Sequence, residues 1–527
     1  MKRGAPPPPA VVDAATGKRA LSALRAVLGA QWVLDASSPE LANYRDAYTI
    51  VDVHDAAQRP LAAVLPADVK QIQKILEIAG HYKLPLWPLS TARNLGYGGA
   101  APRHAGVLML DLKRMKRIVE VNEQQAYAVV EPGVSYLDLH DHLRETGSRL
   151  WIDPTASGWG GPLGNFLERG VGYTPYGQHG ETQCGLEVLL ADGTLVETAT
   201  STETKTRTLY RYGHRGWIDG LFNQSNFGIV TSIGVHLMPA PAAYRPYLVT
   251  VSAEDDLHAL IEALRPLCLE GVMAQRATLM SLPRAAAYSA TRAVYQKTAG
   301  PLREDARKQL MSALTLGSWN LYGALYGAER VMDNHWRVLE EALREVPGVR
   351  FHFADTRGND TAFSCRAALA GGTPSMDEYK TLDWVGAGAH LDFSAVLPFD
   401  GDTALSSFHA ARDLCHSHGF DYCAEFQLEP RSLRHEVRVI FERDVSAQQR
   451  AARDLHVALA ARSVHAGQGS PRAHLAFMDD TAESYRWNDN ALLRTTEAIK
   501  DVLDAQGVLA PGKAGLWPGR YPHRKKP

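Results

Sequence analysis

Two textures of apolar and polar positions follow one another along the chain. In the first, short apolar runs alternate with turns. Positions 61–66 read as a strand, and Asp68 caps a helix whose apolar residues Val69, Ile72, Ile75, Leu76 and Ala79 fall at helical spacing. Strands are predicted at 85–89, 107–112, 118–121 and 126–130, with a helix over 136–145. Ala191-Asp192-Gly193 between apolar runs at 185–190 and 194–198 is a hairpin signal. A further strand covers 227–238, and Pro239-Ala-Pro-Ala242 reads as a linker. The first portion is therefore α+β, without a dinucleotide crossover pattern.

From about Tyr244 the helical period dominates, over 255–268, 303–316, 328–346 and 402–417. Strands at 320–326, 390–397 and 421–428 interrupt it. An antiparallel sheet flanked by helices is the expected result. Positions 4–12 read as a polyproline-like arm.

Composition narrows the class of protein. The chain has 45% hydrophobic and 22% charged residues, with 56 Lys and Arg against 58 Asp and Glu. That balance suits an ordinary soluble protein and suggests neither a nucleic-acid nor a membrane partner. Five scattered cysteines have no metal-ligand spacing and read as reduced thiols, so no metal is expected, and no Cys-x-x-Cys-His run would attach a haem. Without an apolar h-region after Met-Lys-Arg, a cytoplasmic location is expected, or a periplasmic one if the chain is exported with a partner.

The chemistry concentrates in glycine-rich runs. In 88–103, Leu95-Gly-Tyr-Gly-Gly99 lets backbone amides approach a ligand closely, and such a concavity suits an anion such as a pyrophosphate. A second run, Gly164-Asn-Phe-Leu-Glu-Arg-Gly-Val-Gly-Tyr173, lies far along the chain. Together with Glu131-Pro-Gly-Val134, Asn226-Phe-Gly-Ile229, Trp319-Asn-Leu-Tyr322 and His474-Leu-Ala-Phe-Met478, these runs resemble the vanillyl-alcohol oxidase and p-cresol methylhydroxylase family.

The resemblance implies a two-domain α+β fold of the FAD-binding p-cresol methylhydroxylase type, with a split FAD domain and an antiparallel-sheet cap. Its parts would be an arm and lead-in at 1–56, the FAD domain at 57–242, the cap at 243–467, and a closing segment at 468–527 that returns to the FAD domain. It implies oxidation of para-substituted phenols at the carbon next to the ring, through a quinone methide. Electrons would pass to oxygen or to a separate c-type cytochrome, and a homodimer is the usual minimum. FAD would be held by Ser90, Thr91, Arg93, Asn94, Leu95, Gly96, Gly98, Pro132, Gly164, Asn165, Gly172, Ile229 and Lys513. His390 matches the residue that a histidyl-linked branch joins to the flavin 8α carbon, with His54 as a candidate assistant. The position of the tyrosyl-linked branch is Leu382, and non-covalent FAD stays open.

Tyr97 and Arg472 match groups that bind the phenolate oxygen, and Tyr173 matches a cavity-lining residue. Two positions depart from the pattern. A second phenolate-binding tyrosine is Pro471 here, and an active-site aspartate falls at Ala156, beside Ser157. Asp392, two residues from His390 on a predicted strand, and Glu425 are the candidate substitute bases. The competing reading of both is a buried ion pair with Arg431 or Arg434. Two other functional classes remain: the same flavin chemistry on a bulkier or non-phenolic aromatic alcohol, and a non-catalytic flavoprotein.

Overall fold

The structure is a computed structural model and describes residues 12–48, 59–199, 203–214, 216–357 and 360–521. His54 and the arm at 4–11 lie outside the described residues.

The first portion holds two sheets. In the smaller, strands run in the order Val33–Leu34, Ala62–Val64, Leu108–Asp111, Leu86–Leu89, the last three parallel. Helix Val69–Tyr82 packs Ile72, Ile75, Leu76 and Ala79 onto this sheet. Its N-terminus forms where expected, because the Asp68 carboxylate accepts the amide of Gln71. The second sheet is antiparallel, in the order Ile118–Asn122, Tyr127–Val130, Ile229–His236, Gln183–Leu189, Leu195–Glu197. Its last two strands are joined by the expected hairpin, with Gly193 in a left-handed conformation at φ 86°.

The second portion is one seven-stranded antiparallel sheet. Its order is Arg350–Phe353, Ala243–Val251, Trp319–Gly327, Thr278–Ser281, Ala424–Leu428, Ser432–Glu442, Gly388–Pro398. Here the structure departs from the sequence reading. The segment after the expected linker is the nine-residue strand Ala243–Val251, and three further strands, Thr278–Ser281, Arg350–Phe353 and Ser432–Glu442, were not predicted. One face of the sheet packs on helices Leu257–Leu269, Gly401–Ser417 and Ser446–His465 through a large apolar core. The other face packs in part on helices Leu282–Ala286, Glu304–Leu314 and Thr361–Ala370, and its strands Gly388–Pro398 and Ser432–Glu442 look toward the first portion.

The closing segment returns to that first portion. The Leu86 amide donates to Val508 and the Leu86 carbonyl accepts from Ala510. Lys500 is buried and donates to the carbonyls of Asn226 and Leu509 at 2.6 and 2.8 Å, beside Asp504 at 2.7 Å. A buried ammonium with three acceptors is a tie that leaves few alternative placements of the segment.

Candidate active site

A cavity of about 360 Å³ lies between the two portions, walled by the glycine-rich loops on one side and the long sheet on the other. On the loop side, Ser90 donates to the Pro132 carbonyl at 2.7 Å, which draws the two turns together. A Cβ on Gly161 would sit 2.8 Å from Thr91 Cγ2, and one on Gly164 would sit 3.1 Å from Ser90 Oγ. The loops close only because those positions lack side chains. Gly98 adopts φ 105° and packs against Leu475.

Most of the residues expected around FAD line this cavity. Ser90, Thr91, Arg93, Asn94, Leu95 and Gly96 do so from the first run. Gly164, Asn165, Ile229, His390 and Lys513 complete the set. Gly98, Pro132 and Gly172 do not line it. Gly172 instead abuts Asp153, which accepts the amides of Tyr173 and Thr174 at 3.0 and 2.8 Å and contacts His179 at 2.6 Å. That buried cluster sets the position of Tyr173 in the cavity wall.

On the sheet side, side chains alternate strictly. Along Gly388–Pro398, His390, Asp392 and Ser394 stand on the polar face, while Leu391, Phe393 and Ala395 join the core. On its partner Ser432–Glu442, Arg434, Glu436 and Arg438 line the cavity, while Leu433, Val437 and Val439 are core. Register places Asp392 opposite Arg438 and Ser394 opposite Glu436.

The resulting network is dense. Asp392 contacts His390 Nδ1 at 2.8 Å and accepts from Arg438 Nε at 3.0 Å. Arg438 also reaches Glu378, which further holds Arg284 and the Tyr288 hydroxyl. Glu425 is paired with Arg284 and Arg366, each at 3.4 Å, and accepts from Gln427 at 2.8 Å. The Arg366 guanidinium lies over the Tyr173 ring at 4.7 Å.

Two expectations are corrected by this arrangement. Glu425 does not line the cavity; it is buried behind the wall as the counter-ion of two arginines. Asp392 lines it, but burial, which opposes ionisation, is overcome by Arg438 and then His390, which hold its carboxyl well below the usual range. Asp392 is therefore not placed to accept a proton near neutral pH. The partners that hold the two carboxylates are Arg438, Arg284 and Arg366 rather than Arg431 or Arg434.

The carboxylate that fits the task is Glu436, which sequence reasoning missed. Burial first, then the charges of Asp392 and Glu425, push its carboxyl up to about 7, with Arg438 only partly offsetting them. Its side chain is 13% exposed and sits 3.6 Å from Arg438. Part of the signal was available: Glu436 and Arg438 alternate with Val437 and Val439 at a period of two.

Near Glu436 stands the group expected for a phenol. Arg472 lies over the Tyr97 ring at 4.1 Å and donates to Asn94 at 2.9 Å. Burial raises the Tyr97 hydroxyl above its usual pKa, and the nearby charges of Glu436 and Asp392 add to that shift. Ala156 and Ser157 line the cavity, whereas Pro471 does not; its carbonyl accepts from Gln224 at 2.9 Å. Two buried polar atoms of the lining residues, Asn226 Oδ1 and Gln427 Oε1, have no hydrogen-bond partner among the described residues. With the glycine cradle and its hydroxyl and amide donors, such orphans fit a large polar cofactor.

The fold and this cradle define an FAD-dependent flavoprotein, and residues 60–199 match the model of an FAD binding domain. The chain is 33% identical over 503 residues to the flavoprotein subunit of 4-cresol dehydrogenase (hydroxylating) from Pseudomonas putida, covering 94% of this chain and 95% of that one. Two solved structures are similar at 33% identity, each over 97% of this chain and 99% of theirs. They are 4-ethylphenol oxidase from Gulosibacter chungangensis in complex with isoeugenol, TM-score 0.94, and p-cresol methylhydroxylase with substrate bound, TM-score 0.93. The chain belongs to the p-cresol methylhydroxylase family of FAD-dependent oxidoreductases.

Proposed function

We propose that the protein oxidises a 4-alkylphenol at the carbon attached to the ring, by way of a quinone methide. The observation that carries this reading is Arg472 stacked on Tyr97 in the wall of a cavity that also holds His390. Bound FAD supplies the two-electron acceptor. Tyr97 and Arg472 hold the phenol oxygen, and the fixed guanidinium favours its ionised form. Glu436 takes the phenolic proton, a task its raised pKa suits near neutral pH. Asp392 and Glu378 are spent on Arg438 and stay ionised. Tyr173, held by Asp153 and capped by Arg366, forms the side of the substrate space.

His390 is the residue we assign to covalent attachment of FAD. Dioxygen or a separate c-type cytochrome completes the cycle, and a homodimer is the proposed assembly. A second reading has a specific basis: Ala156 lines the cavity and Pro471 is turned out of it, which favours bulkier or non-phenolic aromatic alcohols.

Anaerobic mixing with a 4-alkylguaiacol tests the choice. Bleaching of the flavin absorbance is expected, with the para-methoxy analogue inert, and readmitted air separates oxidase from dehydrogenase. Bleaching by the methoxy analogue favours the second reading. No bleaching by either compound, with dithionite still effective, excludes simple phenols.

A further inference from the structure

We propose that Asp392 is the residue that makes His390 a nucleophile toward the flavin, so that the Asp392–His390 pair drives covalent attachment through Nε2. This rests on the assignment of His390 as the linkage residue.

Hydrogen-bond bookkeeping carries the argument. Asp392 accepts from Arg438 Nε at 3.0 Å and from its Nη2 at 3.3 Å, so its carboxylate is ionised and purely an acceptor. His390 Nδ1 lies 2.8 Å from the same carboxylate, and only a protonated Nδ1 can donate there. Burial keeps the imidazole neutral, against the pull of Asp392. The tautomer is therefore fixed, with the lone pair on Nε2, which makes no hydrogen bond with a described residue. The ring is held from two further sides. Tyr48 packs at 5.0 Å between ring centroids, and Gly96 leaves no room for a side chain, since a Cβ there would fall 2.4 Å from His390 Cε1. Arg438 fixes Asp392 from the neighbouring strand. A carboxylate that orients an imidazole and stabilises its cationic form is the arrangement of an activated histidine.

In the step, a bond forms between Nε2 and the 8α carbon, and one hydrogen of that methyl group leaves as a proton. The flavin gains the electron pair, and dioxygen takes that pair with two protons, the one lost from the methyl group and the one released from the imidazole, to give hydrogen peroxide. Alkylation of Nε2 places a positive charge on the ring before that proton leaves. Asp392 faces this charge through Nδ1–H, so its removal raises the barrier to bond formation without removing the FAD site.

The experiment compares covalent with dissociable flavin in wild type, Asp392→Asn and Asp392→Glu, as flavin fluorescence retained on acid-denatured protein. Wild type is expected to retain its flavin. Asp392→Asn should bind FAD that acid releases, with attachment at least tenfold slower, and Asp392→Glu should recover part of the rate. Equal attachment in wild type and a folded Asp392→Asn overturns the proposal alone. Dissociable FAD in wild type overturns the linkage reading and the proposal together. Identification of the linked nitrogen in wild type keeps the test open if Asp392→Asn does not fold. Linkage through Nε2 supports the proposal, and linkage through Nδ1 refutes it.

Discussion

On one side of the cavity, the turns at Ser90, Gly161 and Gly164 meet through backbone and small side chains. On the other, the strands Gly388–Pro398 and Ser432–Glu442 present a row of ionisable groups to the same space. The loop wall depends on missing atoms: its closeness fails if a Cβ is added. The sheet wall depends on charge balance. Arg284, Arg366 and Arg438 face Asp392, Glu378, Glu425 and Glu436, three cations against four carboxylates. Three of the carboxylates have close arginine partners, and the fourth, Glu436, is left with a raised pKa. A wall held by geometry makes a generic holder for a cofactor. One held by charge can leave a single group ready to exchange a proton.

The largest effect should come from unbalancing the sheet wall. Arg438→Met strands Asp392 as a buried charge without a cation and takes one arginine from Glu378, and chemical denaturation should show a loss of about 3–5 kcal/mol. Glu436→Gln should act the other way, with a pH dependence. The native carboxyl binds its proton up to about 7 and the unfolded one only to 4.5. Stability is therefore lost as pH rises between those values, and the cost is complete above them. The variant should match wild type near pH 4 and exceed it at pH 8 by ~3 kcal/mol at most. A stability difference that does not change with pH would rule out Glu436 as the acceptor of the phenolic proton.

The two walls were also unequally legible in the sequence. Glycine runs announce the loop wall, because a close backbone approach has few other solutions. Helix Val69–Tyr82 was readable from its spacing and its Asp68 cap. The sheet wall was half hidden. His390 and Asp392 were placed on one face of a strand by alternation alone. Their partner strand Ser432–Glu442 went unread because its arginines and glutamates look like a solvated surface. Charge balance across strands is a tertiary property: Arg438 finds Glu378 from 60 residues away. No local pattern could show that Glu425 is consumed by Arg284 and Arg366 while Glu436 is left over.

Smaller effects separate holding from chemistry. Arg472→Gln removes the cation that we propose holds the phenol oxygen and should lower kcat/KM for 4-alkylphenols by ~10–100-fold, the value of a hydrogen bond to a charged group. On the loop wall, Gly161→Ala should cost about 1–3 kcal/mol of stability, because Thr91 and the Val134 carbonyl must yield. Its effect should be flat from pH 4 to 8, unlike that of Glu436→Gln. If it also varied with pH, the division between a geometric and an electrostatic wall would fail.

The smallest expected change tests the departure at position 471. Proline supplies no donor there, and its carbonyl is occupied by Gln224. Pro471→Tyr adds a hydroxyl beside Arg472 and restores a backbone N–H. One neutral hydrogen bond contributes about 0.5–1.5 kcal/mol, so tighter binding of a non-oxidisable 4-substituted phenol by ~2–10-fold is expected. Spectral titration of the flavin reads it directly. Tighter binding would show that the site still accepts the phenol oxygen at Arg472 and Tyr97, with Glu436 covering the lost tyrosine. Unchanged or weaker binding would mean that the chain at Pro471 is turned away to make room. The preferred substrate would then be one whose ring carries more than a phenol needs.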